Sequence, residues 1–94
     1  MRFLCYHKLP AGTTIEDVRH ISELMDKESD VHGLRSYLNL SSGKAVCVID
    51  AVSQQALEDF FRKNNLPYDE IVPIEVEGEH GVMTDLRTTE TVVA

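Results

Sequence analysis

The sequence predicts an α+β domain with the element order βαββαβ, and three observations carry that expectation. Apolar residues alternate with period two over residues 2–8, 34–40, 44–50 and 69–77, the signature of strands with one buried face. Between the first and second of these, and again between the third and fourth, apolar residues recur at helical spacing. The second and third are separated only by Ser41, Ser42 and Gly43, which leaves room for a hairpin turn and nothing more.

In the first strand Phe3, Cys5 and His7 fall on one face and Leu4, Tyr6 and Lys8 on the other. Leu9-Pro10-Ala11-Gly12 is a turn. Thr13 and Thr14 both offer N-caps, Thr13 with Glu16 having capping-box spacing, and Ile15, Val18, Ile21, Leu24 and Met25 form the apolar stripe of the helix that follows. A two-residue turn between Leu40 and Gly43 sets Ser36 opposite Cys47, Leu34 opposite Ile49 and Leu38 opposite Ala45 on one face, with Tyr37 beside Val46 and Arg35 beside Val48 on the other. Ser53 caps a second helix whose buried stripe is Ala56, Leu57, Phe60 and Phe61. Asn64 or Asn65 closes it in a left-handed conformation, and Pro67 prevents its continuation. Pro73 inside the last strand places that strand at a sheet edge.

The economical assembly is a four-stranded antiparallel sheet in the order 4-1-3-2, with both helices on one face. Its other face would expose Leu4, Tyr6, Tyr37, Val46, Val48 and Ile71, and an apolar surface of that kind is normally buried against something, most simply a second copy of the chain. Residues 1–77 form the expected domain. Residues 78–94 follow as a tail, either flexible or exchanged as a strand in an oligomer.

Composition narrows the function classes. The chain has 94 residues, enough for one core, and a formal net charge of −7 that repels phosphate backbones. Its nine basic residues are scattered, so no stripe for nucleic acid forms. No apolar run approaches the roughly 20 residues of a membrane span, and the N-terminus starts directly in a strand pattern rather than a leader. Two cysteines make no disulfide framework, so a cytoplasmic location is expected.

Chemistry must come from residues that folding brings together, because no CxxC, HExxH, P-loop, GxGxxG or GxSxG motif is present. His20 lies roughly 9 Å along the first helix, at about 1.5 Å per residue, which sets it level with Cys5, while His7 stands nearer the helix start. Cys47 falls near the same level on the third strand. Imidazole and thiolate together suit nickel, zinc or copper, and Glu16, one turn before His20, is placed to orient its ring. Each residue also has a structural use: the cysteines as small buried apolar groups, His20 as a surface partner of Glu16 or Asp17, His7 as a solvated strand end. His32 and His80 sit in a turn and in the tail. A nucleophilic pair drawn from Cys5 or Cys47 with His7 or His20 lacks a third, orienting residue, which leans against an enzyme.

The chain resembles a family of small ferredoxin-like proteins of unknown role that has a described nickel-binding member. The resemblance rests on His7 before the Leu9-Pro10-Ala11-Gly12 turn, Thr14-x-Glu16-Asp17-Val18 and His20, Gly33-Leu34-Arg35-Ser36-Tyr37, Ala45-Val46-Cys47-Val48, Asp50-Ala51, Asn65-Leu66-Pro67 and Ile71-Val72-x-Ile74. It implies a ferredoxin-like fold, oligomerisation through the sheet, and nickel or a similar metal held by His7, His20 and Cys47. Two features depart from the family pattern: Tyr6, where a charged residue is common, and the tail beyond Glu77. The alternatives are a dimeric α/β-barrel-type small-molecule binder or enzyme using Tyr6, Arg35 and Tyr37, and a protein-interaction module.

Overall fold

A computed structural model of the protein describes residues 1–88. β1 (Arg2–Lys8), α1 (Ile15–Asp26), β2 (Val31–Asn39), β3 (Lys44–Ala51), α2 (Gln54–Lys63) and β4 (Glu70–Pro73) are followed by β5 (Val76–Glu79), β6 (Val82–Asp85) and a short 3-10 turn, Leu86–Thr88. β1 to β4 make one antiparallel sheet in the order β2-β3-β1-β4, which reads 4-1-3-2 from the β4 edge, and β5 and β6 make a separate two-stranded ribbon.

Local chemistry explains where the elements begin and end. Thr13 is consumed by the preceding turn, where its hydroxyl and its N–H both donate to the Pro10 carbonyl. Thr14 therefore caps α1: its hydroxyl accepts from the Asp17 N–H at 3.2 Å, and the Asp17 carboxylate accepts from the Thr14 N–H at 2.9 Å. The capping box thus uses Asp17 rather than Glu16, which pairs instead with Arg19 at 2.5 Å. The Ser53 hydroxyl caps α2 by accepting from the Ala56 N–H at 3.0 Å. Asn65, at φ 54°, turns the chain out of α2, and the Leu66 N–H returns to the Phe61 carbonyl at 2.8 Å.

Between β2 and β3 Ser36 pairs with Cys47, Tyr37 with Val46 and Leu38 with Ala45. Below Arg35 the pattern slips. Gly33, not Leu34, lies opposite Ile49, and Leu34 is the extra residue of a bulge. Met25 of α1 explains the exchange, because its sulfur comes within 3.1 Å of the place a Cβ on residue 33 would occupy.

β4 is shorter than the alternation over 69–77 suggests. Its pairing with β1 reaches Phe3–Pro73, and Ile74 still donates to the Arg2 carbonyl at 2.8 Å. The Ile74 N–H faces β1, so the neighbouring Pro73 turns its missing donor to the open edge, where nothing is lost. The chain then re-pairs with itself as the β5–β6 hairpin, turned by His80 and Gly81 at φ 51° and 80°. Residues 78–88 of the expected tail thus lie in or beside this hairpin; residues 89–94, with the strand character of Thr91 to Val93, lie outside the described residues.

Phe3, Cys5, Ile49 and Ala51 from the sheet, Val31 from β2, Met25 from α1, and Leu57, Phe60 and Phe61 from α2 form one buried cluster, so both helices cover the same sheet face. On the opposite face Leu4, Tyr6, Val46 and Val48 stay half-buried and Tyr37 is exposed; Ile71, expected there, instead lies beside Cys5 and packs against the core. The hairpin is tied to that face by charge. Arg2 holds Asp50 through two hydrogen bonds, at 2.8 and 3.0 Å, and Glu77 through a third at 2.7 Å, while Arg35 lies 3.5 Å from Glu79. Among the described residues, no helix is long and apolar enough to cross a membrane.

Candidate metal centre

The helix-covered face of the sheet carries the candidate ligands in rungs. One rung runs Ser36–Cys47–Cys5–Ile71 across β2, β3, β1 and β4. The next carries His7 opposite Ala45. Alternation along β1 therefore puts His7 and Cys5 on one face, and the antiparallel register brings Cys47 beside Cys5.

His7 is held by two contacts from the α2 end of the chain. Its ring stands edge-on to Phe61 with centroids 5.0 Å apart, and its Nδ1 lies 3.0 Å from the Pro67 carbonyl oxygen. A carbonyl oxygen can only accept, so Nδ1 carries the proton of this bond. In the neutral ring that leaves the lone pair on Nε2. A metal-ligating histidine is usually prepared in this way, by an N–H donated to a carbonyl that fixes both tautomer and ring orientation. The contact is built by fold: Asn65 reverses the chain after α2 and carries Pro67 back over the end of β1.

Cys5 is fully buried, and loss of water around it pushes its thiol up to about 12. Cys47 is half-buried. Burial raises its thiol too, opposed by the Ser36 hydroxyl, which donates to its sulfur at 3.5 Å. Both thiols are therefore protonated at neutral pH. Cys47 also lines a cleft of about 310 Å³ between α1 and the β2–β3 half of the sheet, walled by Val18, Ile21, Leu38 and Ile49.

His20 stands apart. It is an exposed residue on the outer side of α1, with its Nδ1 3.9 Å from Glu23, while the stripe of Val18, Ile21, Leu24 and Met25 turns inward. The one-turn partnership with Glu16 does not form, since Glu16 is engaged by Arg19. The structure thus gathers His7, Cys5 and Cys47 on one face and leaves His20 outside it. Among the described residues no three His, Cys, Asp or Glu side chains converge closely enough to hold one ion. The Pro67 carbonyl was not visible from sequence as a partner of His7. Asn65-Leu66-Pro67 marks a helix end, but nothing in it says which strand the end touches.

A family model described as "Nickel responsive protein SCO4226-like" matches residues 3–74, which is β1 through the end of β4. The chain belongs to this SCO4226-like family. The crystal structure of SCO4226 from Streptomyces coelicolor A3(2) is similar in fold, with a TM-score of 0.72 and 18% identity over 83% of this chain and 100% of that one. A comparison with curated proteins finds no match. The β5–β6 hairpin lies beyond the segment that the SCO4226-like model covers.

Proposed function

We propose that this SCO4226-like protein is a cytoplasmic nickel-responsive protein of ferredoxin-like fold, in which His7 is the leading Ni²⁺ ligand through Nε2. The observation that carries the reading is the 3.0 Å contact from His7 Nδ1 to the Pro67 carbonyl, which leaves a lone pair on Nε2 of a ring also held by Phe61. Neutral imidazole suits nickel, and the family description supplies the metal. Cys47, one rung away, and the exposed His20 are the further ligands in this reading. His20 is reachable from outside the chain, so it suits a contact completed by water or by a second copy. Self-association through the open sheet face, with the hairpin along its border, belongs to the same reading, because Tyr37 and the neighbouring valines offer apolar area there.

Calorimetric titration of Ni²⁺ into metal-free protein tests this. Wild type should bind, His7→Ala should bind more weakly by at least about 10-fold, and His20→Ala and Cys47→Ser should each weaken binding less. A folded His7→Ala protein that binds Ni²⁺ like wild type would overturn the assignment of His7, and absence of binding by wild type would overturn the nickel reading itself.

A further inference from the structure

Cys5 and Cys47 are the chain's two cysteines, and the sheet sets them directly opposite one another. The kind of pair they form follows from the hydrogen bonds at both ends of the β1–β3 ladder. Met1 and Ala51 exchange hydrogen bonds at 3.0 and 2.9 Å, and the Leu9 N–H donates to the Gly43 carbonyl at 2.7 Å. Hydrogen-bonded pairs alternate with non-bonded ones along an antiparallel ladder, so the pairs at Phe3, Cys5 and His7 alternate in step with those ends, and Cys5–Cys47 is a hydrogen-bonded pair. In such a pair the Cα atoms are about 5.5 Å apart and the Cβ atoms stand at the wide end of the cross-strand range, near 5.5 Å. A disulfide needs Cβ atoms roughly 3.5–4.5 Å apart, so the strands hold the two sulfurs too far apart to bond to each other. They are well spaced for something between them. An ion bonded to two thiolates at about 2.3 Å each spans about 4.6 Å.

From this geometry we infer that Cys5 and Cys47 form a two-coordinate site for a soft monovalent cation of the Cu(I) class. Thiolates select Cu(I) over harder ions. Among the described residues no third acidic, imidazole or thiol group converges with the pair, which matches an ion satisfied by two ligands. Phe3, Ile49 and Leu57 belong to the same buried cluster as Cys5 and keep water from it, an environment that protects a reduced, weakly hydrated ion. Entry is through the cleft beneath α1, which Cys47 and Ser36 line. On binding, two S–H bonds break and two Cu–S bonds form, two protons leave to solvent through that cleft, and copper remains Cu(I). The Ser36 hydroxyl, which donates to Cys47, stays in place to stabilise the thiolate. The site is separable from the nickel reading: the two share only Cys47, and this one uses Cys5 and neither His7 nor His20.

Competition with the Cu(I)–bicinchoninate chromophore under anaerobic ascorbate tests the inference. Wild type should withdraw one Cu(I) per chain, Cys5→Ser and Cys47→Ser should each lose affinity by at least roughly 100-fold, the most that loss of a mere supporting partner costs, and His7→Ala should retain it. Copper X-ray absorption of the wild-type complex, which needs no variant to fold, should show two sulfur neighbours in linear geometry. Wild type that withdraws no copper, a Cys5→Ser protein that competes like wild type, or a copper shell with three ligands or with nitrogen would each overturn it. Ni²⁺ titration of Cys5→Ser separates the two sites: it should match wild type whether or not the copper site exists.

Discussion

At the scale of single residues, burial sets the behaviour of the thiols. Cys5 has no exposed surface and its thiol is pushed up to about 12, whereas Cys47 keeps part of its surface beside the α1 cleft. Native protein should therefore consume at most one equivalent of a thiol reagent such as iodoacetamide at mildly alkaline pH, all of it at Cys47, and peptide mapping checks this. The same shift has a consequence for stability. A thiol raised from 9.0 in the unfolded chain to about 12 in the fold stabilises fully below pH 9 and loses that contribution between pH 9 and 12, because there the unfolded chain sheds the proton and the folded one does not. Wild type should lose stability across that window at up to about 1.4 kcal/mol per pH unit more than Cys5→Ala does, read from urea melts of both proteins. At the acid end Arg2, bonded to Asp50, holds that carboxyl below its ordinary range, and the gain is lost as pH falls through it. Both partners are about one-third exposed, so the pair is worth roughly 1 kcal/mol or less.

Elements show what a sequence can and cannot say about backbone. The β2–β3 register at Ser36–Cys47 was legible because the turn length and the alternation both constrain it, and a slip by one residue would turn Val46 and Val48 into the core. The bulge at Leu34 was not legible, since it answers a contact from Met25 across 8 residues of chain that no local pattern encodes. Nor was the choice of Thr14 over Thr13, which turns on a hydrogen bond to Pro10. Gly43 illustrates an element end under two constraints at once. It has φ 74°, and a Cβ there would lie 2.8 Å from the Leu9 carbonyl oxygen. Gly12, at φ 87°, has open space around it. Gly12→Ala should cost about 1–2 kcal/mol from the left-handed backbone alone, and Gly43→Ala should cost clearly more, because the clash falls on backbone. Equal losses in denaturant melts would show that the Leu9 contact has no weight.

The whole molecule joins a family-matched sheet and two helices to a hairpin beyond the match. Two exposed or half-exposed arginines reach that hairpin, Arg2 at Glu77 and Arg35 at Glu79. Arg2→Ala should leave the core intact and raise amide exchange across residues 76–85, with a melting change within a few degrees; unchanged exchange would mean that β5 and β6 need no tie to the sheet. The layered architecture was legible from periodicity, while this hairpin was not: Val76 reads as a continuation of the last strand, yet it pairs with Asp85 and not with β1. The site was legible in part. Strand alternation placed His7, Cys5 and Cys47 on one face, but helix spacing alone gave a height for His20 without saying that it faces outward.

The fold holds a proton on His7 Nδ1, against the Pro67 carbonyl, and so directs metal binding to Nε2. Long-range ¹⁵N–¹H correlation of the ring, recorded at mildly alkaline pH on metal-free protein and again with Ni²⁺, tests it directly. A pyrrole-type, protonated Nδ1 and a pyridine-type Nε2 are expected before metal, with the His7 signals lost to the paramagnetic ion after it. A proton on Nε2, or His7 signals untouched by Ni²⁺, would contradict it.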